Sequence, residues 1–130
     1  MPLTPSQLIY CKRTKTRGRG VFARCRIEAG TVIEEAPVIV MPVAELYAPS
    51  GTSTLGSYVF HWREGYVAMA LGFGALYNHS YTPNAVSEDI PPQIKRFAAI
   101  RTIEPDEEIT HNYAGYPGAT DDVGFDVVEG

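Results

Sequence analysis

Apolar positions along this chain alternate with polar ones over short stretches, and the stretches favour Val, Ile, Tyr and Phe over Ala, Leu and Glu at helical spacing. The alternation predicts strands over residues 8–11, 20–23, 31–40, 57–61, 66–70, 84–87, 96–99 and 108–112. Turn signals separate many of them, including Glu28-Ala29-Gly30, Pro91-Pro92 and Glu104-Pro105-Asp106, where a proline or glycine presets the backbone. Residues 42–46 can open a short helix, and residues 70–77 can make one turn, weakened by Gly72 and Gly74. Residues 48–57 read as an exposed loop and 115–130 as a frayed acidic tail. No internal repeat interrupts the pattern, so the expected fold class is mainly β with little helix, in one domain.

Length agrees, since 130 residues suit a single core. Charge adds an asymmetry. The formal net charge is −4, but the first 26 residues hold Lys12, Arg13, Lys15, Arg17, Arg19, Arg24 and Arg26 with no acid, giving +7, while the remainder sums to −11. An acidic total argues against a molecule built as a basic nucleic-acid binder, so no direct nucleic-acid partner is expected. The acidic remainder suits a basic polypeptide. No apolar run approaches the roughly 20 residues of a spanning helix, and the start lacks a signal-like stretch. No membrane partner is therefore expected, and the location is read as intracellular and cytoplasmic. Cys11 and Cys25 form no Cys-x-x-Cys pair, and His61, His79 and His111 lie far apart, so neither a metal site nor a nucleoside-triphosphate loop is expected.

Three segments bear chemistry. Arg17-Gly18-Arg19-Gly20-Val21-Phe22-Ala23 lets the backbone turn tightly and approach a ligand through its amides. Asn78-His79-Ser80-Tyr81-Thr82-Pro83-Asn84 gathers polar groups after an apolar run, where burial demands partners. Glu107-Glu108-Ile109-Thr110-His111-Asn112-Tyr113 precedes Tyr116, and a tyrosine can orient an amine while its ring walls a pocket. Each segment alone also fits a structural role: a glycine hairpin, an asparagine-stapled turn around a core histidine, and packed edge tyrosines. Adjacent Glu107 and Glu108 point to opposite faces of a strand, which rules them out as a catalytic pair.

In this order the segments resemble the SET domain family of protein lysine methyltransferases: its glycine motif, its asparagine-histidine-serine motif and its segment ending in the catalytic tyrosine. A softer match pairs residues 57–60 with 66–70 as strands of the substrate channel. The resemblance spans about residues 8–116 and implies a β-clip fold of small curved sheets with a C-terminal pseudoknot. Residues 1–116 are then the SET domain and 117–130 an acidic tail packing over the site. S-adenosylmethionine is the implied methyl donor, and a lysine in a basic, histone-like protein the acceptor. Carried over residue by residue, Gly18, Arg19, Gly20, Asn78, His79 and Tyr113 meet the cofactor. Tyr113 is the catalytic tyrosine, and Tyr58, His111 and Tyr116 line the lysine channel.

Three departures from the family pattern stand out. His111 occupies a position commonly Phe or Tyr that influences how many methyl groups are added, Asn112 replaces a common aspartate, and no cysteine-rich zinc segment follows the domain. Phe125 or a partner subunit is a candidate to close the channel, and small members also pair to complete their sites, which leaves a homodimer open. A eukaryotic host would place the protein in the nucleus or on chromatin. Two other readings stay open: a SET-like module that binds cofactor or lysine peptide without turnover, and a β-clip interaction domain unrelated to methyl transfer.

Overall fold

A computed structural model describes residues 3–47, 49–120 and 123. Nine strands fall into two sheets. The smaller holds β1 (Ile9–Arg13), β2 (Arg19–Ala23), β9 (Glu108–His111) and β6 (Asn78–His79), in the order β1-β2-β9-β6. The larger holds β3 (Val32–Pro42), β4 (Val59–Arg63), β5 (Tyr66–Ala70), β7 (Ala85–Ile90) and β8 (Ile94–Ala99), in the order β4-β5-β3-β8-β7. Five residues, Val43–Tyr47, form the one α-helix among the described residues, and a 3₁₀ turn covers Leu55–Ser57. The mainly β expectation holds, and the curved sheets are those of the expected fold class.

Side chains from both sheets fill one core. Tyr77 and Phe97 stack with ring centres 4.2 Å apart, surrounded by Val21, Ile27, Ile33, Ile103 and Ile109, all but sealed from solvent. Burying each such side chain contributes about 1.5–3 kcal/mol. Six of the seven strand pairings among the described residues are antiparallel, and three of them are hairpins. The exception decides the site: β9 lies between β2, its antiparallel neighbour, and β6, which it meets in parallel with Asn78 opposite Thr110 and His79 opposite His111. The end of the domain is thereby drawn beside the Arg17–Gly20 turn and the Asn78 segment.

Differences from the sequence pattern have local causes. Residues 70–77 form two hydrogen-bonded turns, Leu71 to Gly74 and Phe73 to Leu76, instead of a helical turn. Gly72 sits at φ 62°, a conformation no helix admits, and the amide of Phe73 donates to the Glu34 carboxylate. A register shift between Val32 and Glu34 turns both Ile33 and Glu34 inward, after which Ala36 and Val38 keep the inward phase. The two-residue β6 escapes an alternation reading altogether. Phe125 and most of the tail beyond residue 120 lie outside the described residues.

Candidate active site

Two cavities meet at Tyr113. The first, about 140 Å³, is walled by the turn at Arg17, Gly18 and Arg19, by Asn78, and by the aromatic pair Tyr58 and Tyr113. The second, about 80 Å³, is walled by Tyr58, Val59, Phe60, Ala75, Tyr77 and Tyr113, with no charged side chain in its lining. Ser57, Tyr58, Ala75 and Tyr113 belong to both.

A polar cluster builds the first cavity. Glu108, on β9, accepts from Asn78 Nδ2 at 2.7 Å and forms an ion pair with Arg17, and Asn78 Nδ2 also reaches the Arg19 carbonyl at 3.1 Å. These contacts lock the turn before β2 against β9 and β6. Gly20 is glycine for a steric reason: a Cβ there would overlap the Glu108 carboxylate and stand 2.9 Å from Asn78 Nδ2. Gly18 takes φ 67°, the left-handed conformation its turn requires.

Tyr113 divides the cavities. Its backbone amide donates to His79 Nδ1 at 3.0 Å, and its hydroxyl donates to the Tyr77 carbonyl at 2.5 Å. The residue keeps 42 % of its surface exposed, yet its hydroxyl points inward, and burial together with the nearby Glu108 carboxylate pushes its pKa up to about 12. At neutral pH it is an uncharged donor. Tyr77 is anchored in turn, because its phenol donates to Glu34 Oε1 at 2.7 Å while Glu34 Oε2 accepts from the Phe73 amide at 3.1 Å. Burial raises the Glu34 pKa, offset by these two hydrogen bonds. The chain of contacts runs Glu34, Tyr77, Tyr113.

The remaining candidates fall into different places. His79 is buried and contacts the site through the Tyr113 amide, outside both cavity linings. His111 lies behind the second cavity, packed on Phe60, Phe97, Tyr77 and Tyr113 with ring centres 5.0–6.2 Å away. Neither of its ring nitrogens has a hydrogen-bond partner among the described residues, and burial, followed by the positive charge of Lys95, lowers its pKa to about 3. Tyr116 stands 62 % exposed on the turn after Tyr113 and lines neither cavity. Glu107 and Glu108 do face apart: Glu107 meets Arg101 and Asn84, and Glu108 meets Arg17 and Asn78.

Asn112 has a local explanation. Its Nδ2 donates to the Ala119 carbonyl at 2.8 Å while its Oδ1 accepts from the Ala114 amide at 2.9 Å, tying down the turn that follows Tyr113. An aspartate could accept but not donate, and would face a carbonyl oxygen. The sequence reading missed Glu34, Tyr77 and Phe60. Glu34 reads as half of an acidic surface pair, and only the register shift in β3 sends it inward.

Comparison with known proteins agrees with this geometry. Residues 18–114 match the SET domain family. The chain belongs to that family. It is 33 % identical over 104 residues to a Schizosaccharomyces pombe histone-lysine N-methyltransferase described as specific for H3 lysine 37, covering 79 % of this chain and 71 % of that relative. A crystal structure of a Plasmodium falciparum protein superposes with a TM-score of 0.68 at 28 % identity, over 85 % of this chain and 95 % of that one. This SET domain is accordingly a protein-lysine methyltransferase. Among its described residues no helix is long and apolar enough to cross a membrane.

Proposed function

We propose that this SET domain transfers the methyl group of S-adenosylmethionine to a lysine side chain of a basic, histone-type protein. The observation that carries the reading is the junction of a polar cavity with an uncharged aromatic one at the Tyr113 hydroxyl. The donor set of the first cavity fits the cofactor. Arg19 brings a guanidinium with no carboxylate partner among the described residues to its lining, Asn78 brings an amide oxygen, and the Gly18–Arg19 backbone allows close approach. These groups suit a zwitterionic amino-acid end. When bound, the cofactor supplies an electrophilic methyl group on a positively charged sulfur.

The second cavity handles the amine. A free lysine has a pKa of about 10.4, so near neutral pH almost all of it is ammonium and unreactive. Enclosure by Tyr58, Val59, Phe60, Tyr77 and Tyr113 disfavours the charged form through desolvation. Tyr113, uncharged and fixed by the Tyr77 carbonyl, is assigned to orienting the amine at the junction and not to removing its proton. Much of the rate then comes from alignment. Arg19, Gly18, Gly20 and Asn78 are assigned to the cofactor, Tyr58 and Tyr113 to the channel, His79 to holding Tyr113, and His111 to supporting the channel from behind. Tyr116 reaches the channel mouth only when the tail, a second copy or the substrate covers its turn.

His111 and Asn112, the two departures that favoured binding without turnover, both lie outside the cavity linings, which supports turnover. A histone substrate would place the protein on chromatin. Incubation of purified histones with methyl-labelled S-adenosylmethionine is expected to label lysine, with a loss of at least about tenfold, or 1.4 kcal/mol of transition-state stabilisation, in Tyr113→Phe. Equal labelling by that variant would overturn the role of Tyr113, and cofactor binding without labelled product would favour the binding module.

A further inference from the structure

The net charge of −4 conceals how charges are spent in the fold. Seven of the eleven described acids lie within 4 Å of a base: Glu28, Glu35, Glu88, Asp89, Glu104, Glu107 and Glu108. The bases are spent unevenly. Arg17, Arg26, Lys95, Arg96 and Arg101 have carboxylate partners, whereas Lys12, Arg13, Lys15, Arg19, Arg24 and Arg63 have none among the described residues. Five of those six lie on or beside the β1–β2 hairpin, where Lys12 packs over Phe22 and Arg24 over Tyr10, while Arg63 packs over Tyr66 on the other sheet.

The hairpin carries a groove of about 430 Å³, lined by Lys12, Arg13, Lys15 and Arg17, two threonine hydroxyls and a single acid, Glu108, which Arg17 already neutralises. Arg13 stands directly opposite Arg19 across the strands, an arrangement that like-charge repulsion disfavours until an anion joins them. We propose that this groove binds the phosphate backbone of duplex DNA. Lysine, arginine and threonine side chains are the groups that contact phosphate oxygens. Single strands would need an open aromatic platform, and Phe22, the one ring in the groove, is buried under the Lys12 ammonium 4.5 Å from its centre.

The placement explains an otherwise unfavourable juxtaposition. A hairpin rich in cations that no described carboxylate neutralises sits beside the cofactor cavity of an enzyme read as acting on a basic protein, and by itself it would repel that substrate. A DNA duplex neutralises both surfaces at once. The presentation of substrate on DNA rests on the proposed function, whereas DNA binding itself does not.

The test measures polarisation of a short fluorescent DNA duplex with the full chain over a range of salt. Each groove cation removed should lower the log–log salt slope by about one. The triple variant Lys12→Gln/Arg13→Gln/Lys15→Gln should bind at least about tenfold more weakly with a slope shallower by about three. The charge-conserving set Lys12→Arg/Arg13→Lys/Lys15→Arg should restore binding, which separates charge from folding. The glutamine set should methylate a free histone peptide as the parent does and lose activity on nucleosomes. No binding by the parent, an unchanged affinity in the triple variant, equal affinity for single strands, or equal affinity for polyglutamate would each overturn the proposal. Duplex binding without any methyl transfer would instead overturn the proposed function and leave the DNA site standing.

Discussion

The two cavities at Tyr113 share four lining residues and treat charge in opposite ways. One keeps charge close: Arg17 in its wall is paired with Glu108 behind it, and Arg19 and Asn78 add polar groups fit for a zwitterion. The other excludes charge, presenting rings, small side chains and the underside of a neutral phenol. The proposed methyl transfer between them needs both, since the proposed donor is a cation with a charged tail and the acceptor must first lose its proton. Their different construction also means they should fail separately. The polar cavity depends on a backbone position where a Cβ would push aside the ends of the Glu108 and Asn78 side chains, and the apolar one on a buried hydrogen-bond chain behind its wall.

The largest effect is expected at Gly20. A methyl group there overlaps the Glu108 carboxylate and crowds Asn78, and overpacking of this kind costs about 1–3 kcal/mol. Gly20→Ala should therefore weaken S-adenosylmethionine binding by up to about 5- to 150-fold by calorimetry, with little change in the affinity for a lysine peptide. Equal weakening of both ligands would show that the two cavities are one cooperative unit. The next effect lies on the apolar side. Tyr77→Phe removes the phenol from Glu34 Oε1 and leaves that buried carboxylate with the Phe73 amide alone, which costs about 1–3 kcal/mol of stability. Because the Tyr77 carbonyl holds the Tyr113 hydroxyl, kcat should fall while cofactor affinity stays at the parent value. A variant with parental kcat would sever Tyr77 from the site.

How much of this was legible beforehand follows the same divide. The polar cavity was readable because its parts are named by unusual residues in tight spacing: glycines around Arg19, an asparagine before His79, and a tyrosine closing the last strand. Asn78 and Gly20 took their roles from the family resemblance, since each segment alone also fits a structural turn. The apolar cavity was half hidden, since Phe60 and Tyr77 look like any strand aromatics, and Glu34 looks like surface charge until a one-residue shift in β3 turns it inward. β6 was invisible for a related reason: two residues have no period, and only pairing with β9, some 30 positions away, makes them a strand. His111 was expected in the channel and lies behind it, because it directly follows buried Thr110 in a strand whose end is enclosed on both sides.

His111 supplies the smallest effect and the clearest sign. Folded, its imidazole is held neutral with a pKa of about 3, while the unfolded chain titrates near the ordinary value of 6.5. Below 6.5 the unfolded state takes up a proton that the native state refuses, so the stability tied to this group is complete above 6.5 and is lost as pH falls toward 3. Each pH unit within that window shifts the unfolding equilibrium by about tenfold. Phenylalanine at this position would keep the packing against Phe60, Phe97, Tyr77 and Tyr113 and remove two buried nitrogens that have no partner among the described residues. His111→Phe should thus be more stable than the parent by about 1 kcal/mol at neutral pH and by more at about pH 5, read from urea midpoints. Its kcat should change less than that of Tyr77→Phe, since the ring only supports the wall that Tyr77 and Tyr113 form. A parental midpoint at both pH values would mean that the imidazole is hydrogen-bonded to water in solution, and that the apolar cavity is wetter behind its wall than the polar one is in front.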